Sequence, residues 1–316
     1  MIGTSVTTAA HWLREGEVVA IPTETVYGLA ACMFDEAAVQ KIFTVKQRPG
    51  SNPLIVHVPD FKSLEPLVSS VPPVAMELAA ACWPGPLTMI FSKSMLVPDI
   101  ITGGQQTVAI RIPSHPLTLE LLQELDFPLA APSANKFNYI SPVSAIAVDE
   151  MLGKEIPYIL DGGDCEKGIE STIVAFKNNQ VQLLRKGAIT EEELTRITSV
   201  ELVSADHDIR HPGMHQKHYS PRTPVLLTNN IRETISLLHP LRVALLSFCN
   251  PYDGYPVDRK LVLSPDGHLE EAARTLYSSL YQLDKEGYDV IVAEEFPDKG
   301  LGRAINDRLN RASIPF

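Results

Sequence analysis

The stretch from 17 to 58 constrains this chain most. An apolar run, EVVAIP (17–22), is followed by DEAAVQKIFTVKQ (35–47), whose Ala38, Val39, Ile42, Phe43 and Val45 fall at near-helical spacing behind an N-capping Asp35. PLIVHV (53–58) then closes the unit. Strand, helix and strand in succession make an α/β unit, and the helix end delivers Lys46 and Arg48 into the loop QRPGSNP. The segment between the first strand and the helix, TETVYGLA, reads as a turn. Further strand candidates are LTMIFS (87–92), TVAIRIP (107–113), FPLAAPS (127–133), STIVAF (171–176) and QVQLLR (180–185), with helical patterns in PLTLELLQEL and SPVSAIAVDEML. Several strand pairs stand too close for a helical crossover, so residues 1–200 predict a mixed twisted sheet with helices.

After residue 223 the pattern restarts as TPVLLT, IRETISLLH, LRVALLSF, HLEEAARTLYSSLYQLDKEG, YDVIVAEEF and GLGRAINDRLNRAS. This βαβ alternation predicts a small parallel, Rossmann-like second domain over 224–316, joined by a linker over 201–223. No G-x-G-x-x-G follows a strand, so a dinucleotide is not implied. A length of 316 residues, 45% of them hydrophobic, suits two such cores.

Cys32, Cys82, Cys165 and Cys249 are scattered, with no C-x-x-C pair, which predicts reduced thiols rather than a zinc ribbon or disulfide framework. The formal charge of −11 argues against electrostatic coating of nucleic acid. The first twenty residues hold no apolar signal region and no later run is long enough to span a bilayer, so the expectation is a soluble, cytoplasmic protein.

Chemistry gathers at the strand ends. TETVYG places two threonines, a carboxylate and a tyrosine after the first strand, although the same hydroxyls suit a turn that satisfies its own backbone. Lys46 and Arg48 feeding a Gly/Ser/Asn loop suit phosphate or carboxylate oxygens, and equally a helix C-terminus where cations complement the dipole. His57 taken alone is a half-buried strand residue. Arg111, inside the apolar TVAIRIP, needs an anionic partner, either a ligand or a structural Asp or Glu. APSAN offers Ser133 and Asn135, GIEST offers Ser171, and LLRKGAI offers Arg185. Hydroxyls, amides and cations at several strand ends are the profile of an anionic ligand rich in oxygen. No G-x-x-x-x-G-K-[ST], H-E-x-x-H or G-x-S-x-G is present.

HPGMHQKHYSP (211–221) spaces His211, His215 and His218 four and three apart, as metal ligands on a helix would be. Pro212, Gly213 and Pro221 make a continuous helix there untenable and favour a tether between domains. A zinc hydrolase is therefore the weaker reading, and no metal site built from protein side chains is expected.

In order, PTETVYGLA, KQRPGSNPLIVHV, WPGPLT, VAIRIPSHP, APSAN, GIESTIV, LLRKGAIT, HYSP and GLGRAINDRLNRA resemble the YrdC/Sua5 family of threonylcarbamoyl-AMP synthases, in the long form with a second domain. The resemblance implies condensation of L-threonine, bicarbonate and ATP, as its Mg2+ complex, to threonylcarbamoyl-AMP and pyrophosphate. Downstream threonylcarbamoyl-transferase proteins would use that product on adenosine 37 of tRNA, with at most a weak tRNA contact by this chain and no membrane. By the same resemblance Thr25, His57, Arg111, Ala131 and Ser171 bind threonine. Lys46 and Arg48 with Ser133 and Asn135 carry the catalytic K-x-R and S-x-N pairs. Arg48, Asn52, Thr107, Ser133, Ser141, Arg185 and Tyr219 hold ATP, and the linker crosses the active site. The sequence departs from the family pattern at Lys186, where proline is usual, and in SANKFNYISP, which lacks a glycine after the asparagine. Rival readings are a double-stranded RNA-binding or ribosome-associated module without synthase activity, and an enzyme acting on another carbamoyl adenylate.

Overall fold

The computed structural model describes residues 1–178, 180–198, 202–203, 210–214 and 218–314. They divide into two compact units, one formed by Met1–Phe137, Pro142–Glu166 and Glu170–Met214, the other by Asn138–Ser141, Lys167–Ile169 and His215–Phe316.

The first unit is built on one sheet. Its strands are β1 (Ile2–Gly3), β2 (Val19–Ile21), β3 (Gly28–Cys32), β4 (Ile55–His57), β5 (Leu87–Ser92), β6 (Thr107–Arg111), β7 (Leu129–Ala130), β8 (Tyr158–Leu160), β9 (Thr172–Lys177), β10 (Gln180–Arg185) and β11 (Leu202–Val203). Their order across the sheet is β1-β8-β2-β3-β7-β4-β6-β5-β9-β10-β11. β4 runs parallel to β6 and β5 parallel to β9, while β5 and β6, β4 and β7, and β9 and β10 are antiparallel, so the sheet is mixed as the strand spacing predicts. Ala9, Ala10 and Leu13 of the helix Val6–Arg14 and Leu121 and Leu122 of the helix Pro116–Glu124 pack on Val19, Ile21, Ala30 and Leu129. The helix Glu36–Lys46 starts where the sequence predicts: Asp35 accepts the N–H groups of Ala37 and Ala38 at 2.9 and 3.0 Å. It ends on Gln47 in the left-handed region, at φ 55°, which turns the chain so that both Lys46 and Arg48 are buried.

Several elements differ from the sequence reading, among them the helices Val6–Arg14 and Glu191–Thr198 and the short strands β1, β8 and β11, which it did not name. The last three residues of TETVYGLA are not a turn but the start of β3, whose sequence GLAAC gives little strand signal yet pairs with β2 and β7. The helix Pro73–Cys82 was not expected, because PVAMELAAAC is apolar nearly all round and shows no stripe.

The second unit holds β12 (Val225–Thr228), β13 (Val243–Ser247), β14 (Arg259–Val262) and β15 (Val290–Glu294), all parallel, in the order β12-β15-β13-β14. The helices Ile231–Leu237, Leu269–Glu286 and Leu301–Ala312 complete the Rossmann-like pattern. β14 departs from regular alternation, since it follows β13 through a loop rather than a helix.

Candidate active site

Strand register assembles the first part of the site. His57 of β4 is the direct partner of Arg111 of β6, and Thr88 of β5 comes next in that row through the antiparallel pairing of Met89 with Ile110 and Ile90 with Ala109. Residues opposite one another share a sheet face, so His57, Arg111 and Thr88 line up on one side. Ser171, just before β9, donates to or accepts from Thr88 at 2.8 Å between hydroxyls. Arg185 grips Ser171 in turn, with Nε and Nη2 on its carbonyl at 3.2 and 2.8 Å and Nη2 on its hydroxyl at 3.1 Å.

Arg111 is 4% exposed, and its partners settle the question its sequence context raised. Nη2 pairs with the Glu24 carboxylate at 2.7 Å, Nη1 donates to the Thr25 hydroxyl at 2.9 Å, and Nε donates to the Gly85 carbonyl at 3.3 Å. A structural carboxylate therefore neutralises it as an ion pair, while the Thr25 and Gly85 hydrogen bonds occupy two of its five N–H groups and Nη2 has no well-aligned hydrogen-bond partner among the described residues. Burial pushes the Glu24 carboxyl up, but the charge and hydrogen bonding of Arg111 outweigh it and hold Glu24 below the ordinary carboxylate value, an ionised partner. The same pocket pushes His57 down to about 3, through burial first and the Arg111 charge second. Neutral His57 has Nδ1 at 3.3 Å from the Ile55 carbonyl, which only accepts, so Nδ1 carries the hydrogen and Nε2 is the open acceptor.

The loop from Ala131 to Asn135 ties the second part together. Ala131 donates its N–H to Ile55 and Ala134 donates its N–H to Tyr27, at 2.9 and 2.8 Å. The Lys46 ammonium reaches the carbonyls of Ser133 and Asn135, both at 2.5 Å, and Asn135 Oδ1 at 3.3 Å. Burial pushes this ammonium well below the ordinary lysine range, and the charges of Arg48 and Lys136 add to the shift. The Ser133 hydroxyl donates to Asn135 Oδ1, which joins the S-x-N pair into one unit with Lys46. Arg48 donates to the Pro53 carbonyl at 2.9 Å and lies 5.9 Å from the centre of the Phe137 ring.

Thr107 sits at the far end of β6 from Arg111, four residues and about 13 Å away at a strand rise of ~3.3 Å per residue. Continuing the β4–β6 register places it beside Pro53, and so close to Arg48 and Asn52. Asn52 is 4% exposed, and neither Oδ1 nor Nδ2 of its amide has a hydrogen-bond partner among the described residues. A buried amide in that state calls for a partner such as a water or a bound molecule. Ser141 and Tyr219 belong to the second unit, where the Tyr219 ring stacks on Tyr277 at 5.9 Å and receives the Arg308 guanidinium at 5.0 Å. Of the three spaced histidines, His215 lies outside the described residues.

Sequence reasoning noted the carboxylate of TETVYG but did not pair it with Arg111, and it gave Thr88 no role. Their signals are the fixed neighbours: Glu24 beside Thr25, and Thr88 in WPGPLT ahead of an apolar strand.

The sheet thus brings together a guanidinium, hydroxyls and a neutral imidazole, and the end of the helix Glu36–Lys46 and the loop after it bring cations and an amide without a partner among the described residues. In an α/β protein such a set of groups is suited to an anionic molecule rich in oxygen. The Sua5/YciO/YrdC family model, described as "Telomere recombination", matches residues 11–187. A second model, the threonylcarbamoyl-AMP synthase C-terminal domain, matches residues 189–313. The threonylcarbamoyl-AMP synthase of Pyrococcus abyssi is 40% identical over 96% of this chain and 93% of its own length, and that of Bacillus subtilis is 39% identical over 96% and 92%. A solved structure of P. abyssi Sua5 complexed with L-threonine superposes with a TM-score of 0.92 at 37% identity, covering 99% of this chain and 97% of that one. The chain belongs to the Sua5/YciO/YrdC family and carries the Sua5 C-terminal domain.

Proposed function

We propose that this protein is an L-threonylcarbamoyladenylate synthase, condensing threonine, bicarbonate and ATP with release of pyrophosphate. The observation that carries the reading is the row His57–Arg111–Thr88, closed by Ser171 and Thr25, in which Arg111 is ion-paired with Glu24 but has no hydrogen-bond partner for Nη2 among the described residues. A carboxylate takes two parallel N–H donors, so Arg111 would hold the amino acid while the neighbouring hydroxyls and His57 Nε2 meet its β-hydroxyl and amine. Ala131 would contribute through its backbone.

Threonine and bicarbonate give a carbamate and water. The carbamate oxygen then attacks the α-phosphorus of ATP, and the bond to the β-phosphate oxygen breaks as pyrophosphate leaves. No side-chain nucleophile is needed; the residues position the reactants and stabilise charge. Arg48, Asn52, Thr107, Ser133 and Arg185 are the proposed nucleotide contacts, and Lys46 acts with Asn135 on the loop that presents Ser133. Ser141 and Tyr219, with the linker over the site, join this set on the family resemblance alone. Mg2+ would arrive on the ATP phosphates, as it commonly does with nucleotide substrates.

No described helix is long and apolar enough to cross a membrane. We place the enzyme in the cytoplasm, handing its adenylate to proteins that modify tRNA. The test is pyrophosphate release, which is expected only when threonine and bicarbonate are both present; release with ATP alone would count against the proposal.

A further inference from the structure

The helix Pro73–Cys82 has two apolar sides. Val74, Ala75, Leu78 and Cys82 are buried inward, whereas Met76 and Ala80 are exposed, Met76 to 48%. Met76, Ala79, Ala80 and Trp83 follow one another at the i, i+3, i+4, i+7 spacing of a docking face. They form one wall of a hollow of about 340 Å³ completed by Pro59, Asp60, Phe61, Pro84 and Ile112. The Phe61 and Trp83 rings stand 6.5 Å apart, tilted by 54°. Asp60 is the polar side chain of the lining, and its Oδ1 accepts both the N–H and the hydroxyl of Ser63 at 2.8 Å, which fixes the carboxylate.

Two aromatic faces beside a fixed carboxylate select a cation on an apolar stem. Charge points the same way: in 59–62 and 76–84 the charged residues are Asp60, Glu77 and Lys62, and Lys62 is not part of the lining. The hollow is larger than one alkylammonium needs, and the exposed alanine at its rim lets a backbone approach closely. We propose that it docks a short polypeptide segment of a partner protein, a lysine flanked by apolar side chains, with the ammonium at Asp60 against the rings and an apolar neighbour on Met76. The hollow also adjoins the segment that carries Arg111: Ile112 follows it in sequence, the Ile112 carbonyl accepts the Gly85 N–H at 2.8 Å, and the Gly85 carbonyl accepts from Arg111.

The chain has two tryptophans, so in a Trp12→Phe background the fluorescence reports Trp83. Full-length protein would be titrated with acetyl-Leu-Lys-Leu-amide, the same peptide with norleucine for lysine, and n-butylammonium. The lysyl peptide is expected to give a saturable change that weakens about tenfold or more with norleucine or in Asp60→Asn, as loss of a charge-assisted contact would cause. Ala80→Phe, which fills the rim, should abolish it, with far-UV circular dichroism confirming that each variant is folded. Absence of saturation, equal binding of the norleucine peptide, undiminished binding in folded D60N or A80F, or n-butylammonium binding as tightly as the peptide would each overturn the proposal.

Discussion

At Arg111 the guanidinium pairs with a structural anion, Glu24, and on the proposed function the same group also takes the substrate carboxylate. That double duty separates two variants. Arg111→Lys keeps the charge but loses the fork, so kcat/KM for threonine should fall by about 10–100-fold, the ~1.4–2.7 kcal/mol of a lost bidentate pair, while the KM for ATP changes little. Glu24→Ala leaves the buried Arg111 without its anion and should cost about 3–5 kcal/mol of stability, read by urea denaturation. His57 makes the pH dependence. Its folded value of about 3 lies below the ordinary 6.5, so the unfolded chain binds the extra proton between them, and stability must fall as pH drops through that window. One buried histidine contributes a slope of up to about 1.4 kcal/mol per pH unit there, and His57→Asn should flatten it in denaturation curves taken from pH 7 to 4.

The element that matters most is the Ala131–Asn135 loop, because Lys46 sits at a helix end and holds it by three contacts. An ammonium has three N–H donors and all three have acceptors on this loop, so in the proposed function Lys46 would act through the loop it fixes rather than as a bare charge. Lys46→Met keeps the stem and removes the tie; it should lower stability by about 1–3 kcal/mol and raise the KM for ATP, measured with threonine saturating. Gly187 does the same work for the segment carrying Ser171. A Cβ at Gly187 would lie 2.5 Å from both Glu170 O and Thr172 N and 2.6 Å from Ser171 C, so Gly187→Ala must push Ser171 out of its place. The threonine KM should then rise with the ATP KM little changed. This is a backbone fit, invisible in LLRKGAIT except as a glycine two residues after the arginine. By contrast Lys186, the departure from the family pattern, makes a half-buried 3.2 Å pair with Glu191 and leaves those contacts intact.

At the scale of the whole molecule, the alternation of apolar runs was enough to predict a mixed sheet followed by a small parallel one, since period and strand spacing are local properties. Arg111 could be singled out for the same reason: a charge inside an apolar strand demands a partner wherever the chain folds. What the sequence withheld was pairing across distance. Glu24 and Arg111 are far apart in sequence, and only the β4–β6–β5 register brings His57, Arg111 and Thr88 into one row. The helix Pro73–Cys82 escaped because its apolar residues are not confined to one face. A net charge of −11 also sets an expectation for the entire surface: duplex RNA should not be retained at physiological salt. The central claim is the reaction. Incubation with ATP, Mg2+, L-threonine and 13C-labelled bicarbonate, followed by mass spectrometry, is predicted to show threonylcarbamoyl-AMP carrying one labelled carbon, with far less product when serine replaces threonine. Pyrophosphate release without that labelled adenylate, or no product in protein that is folded and binds ATP, would contradict the account.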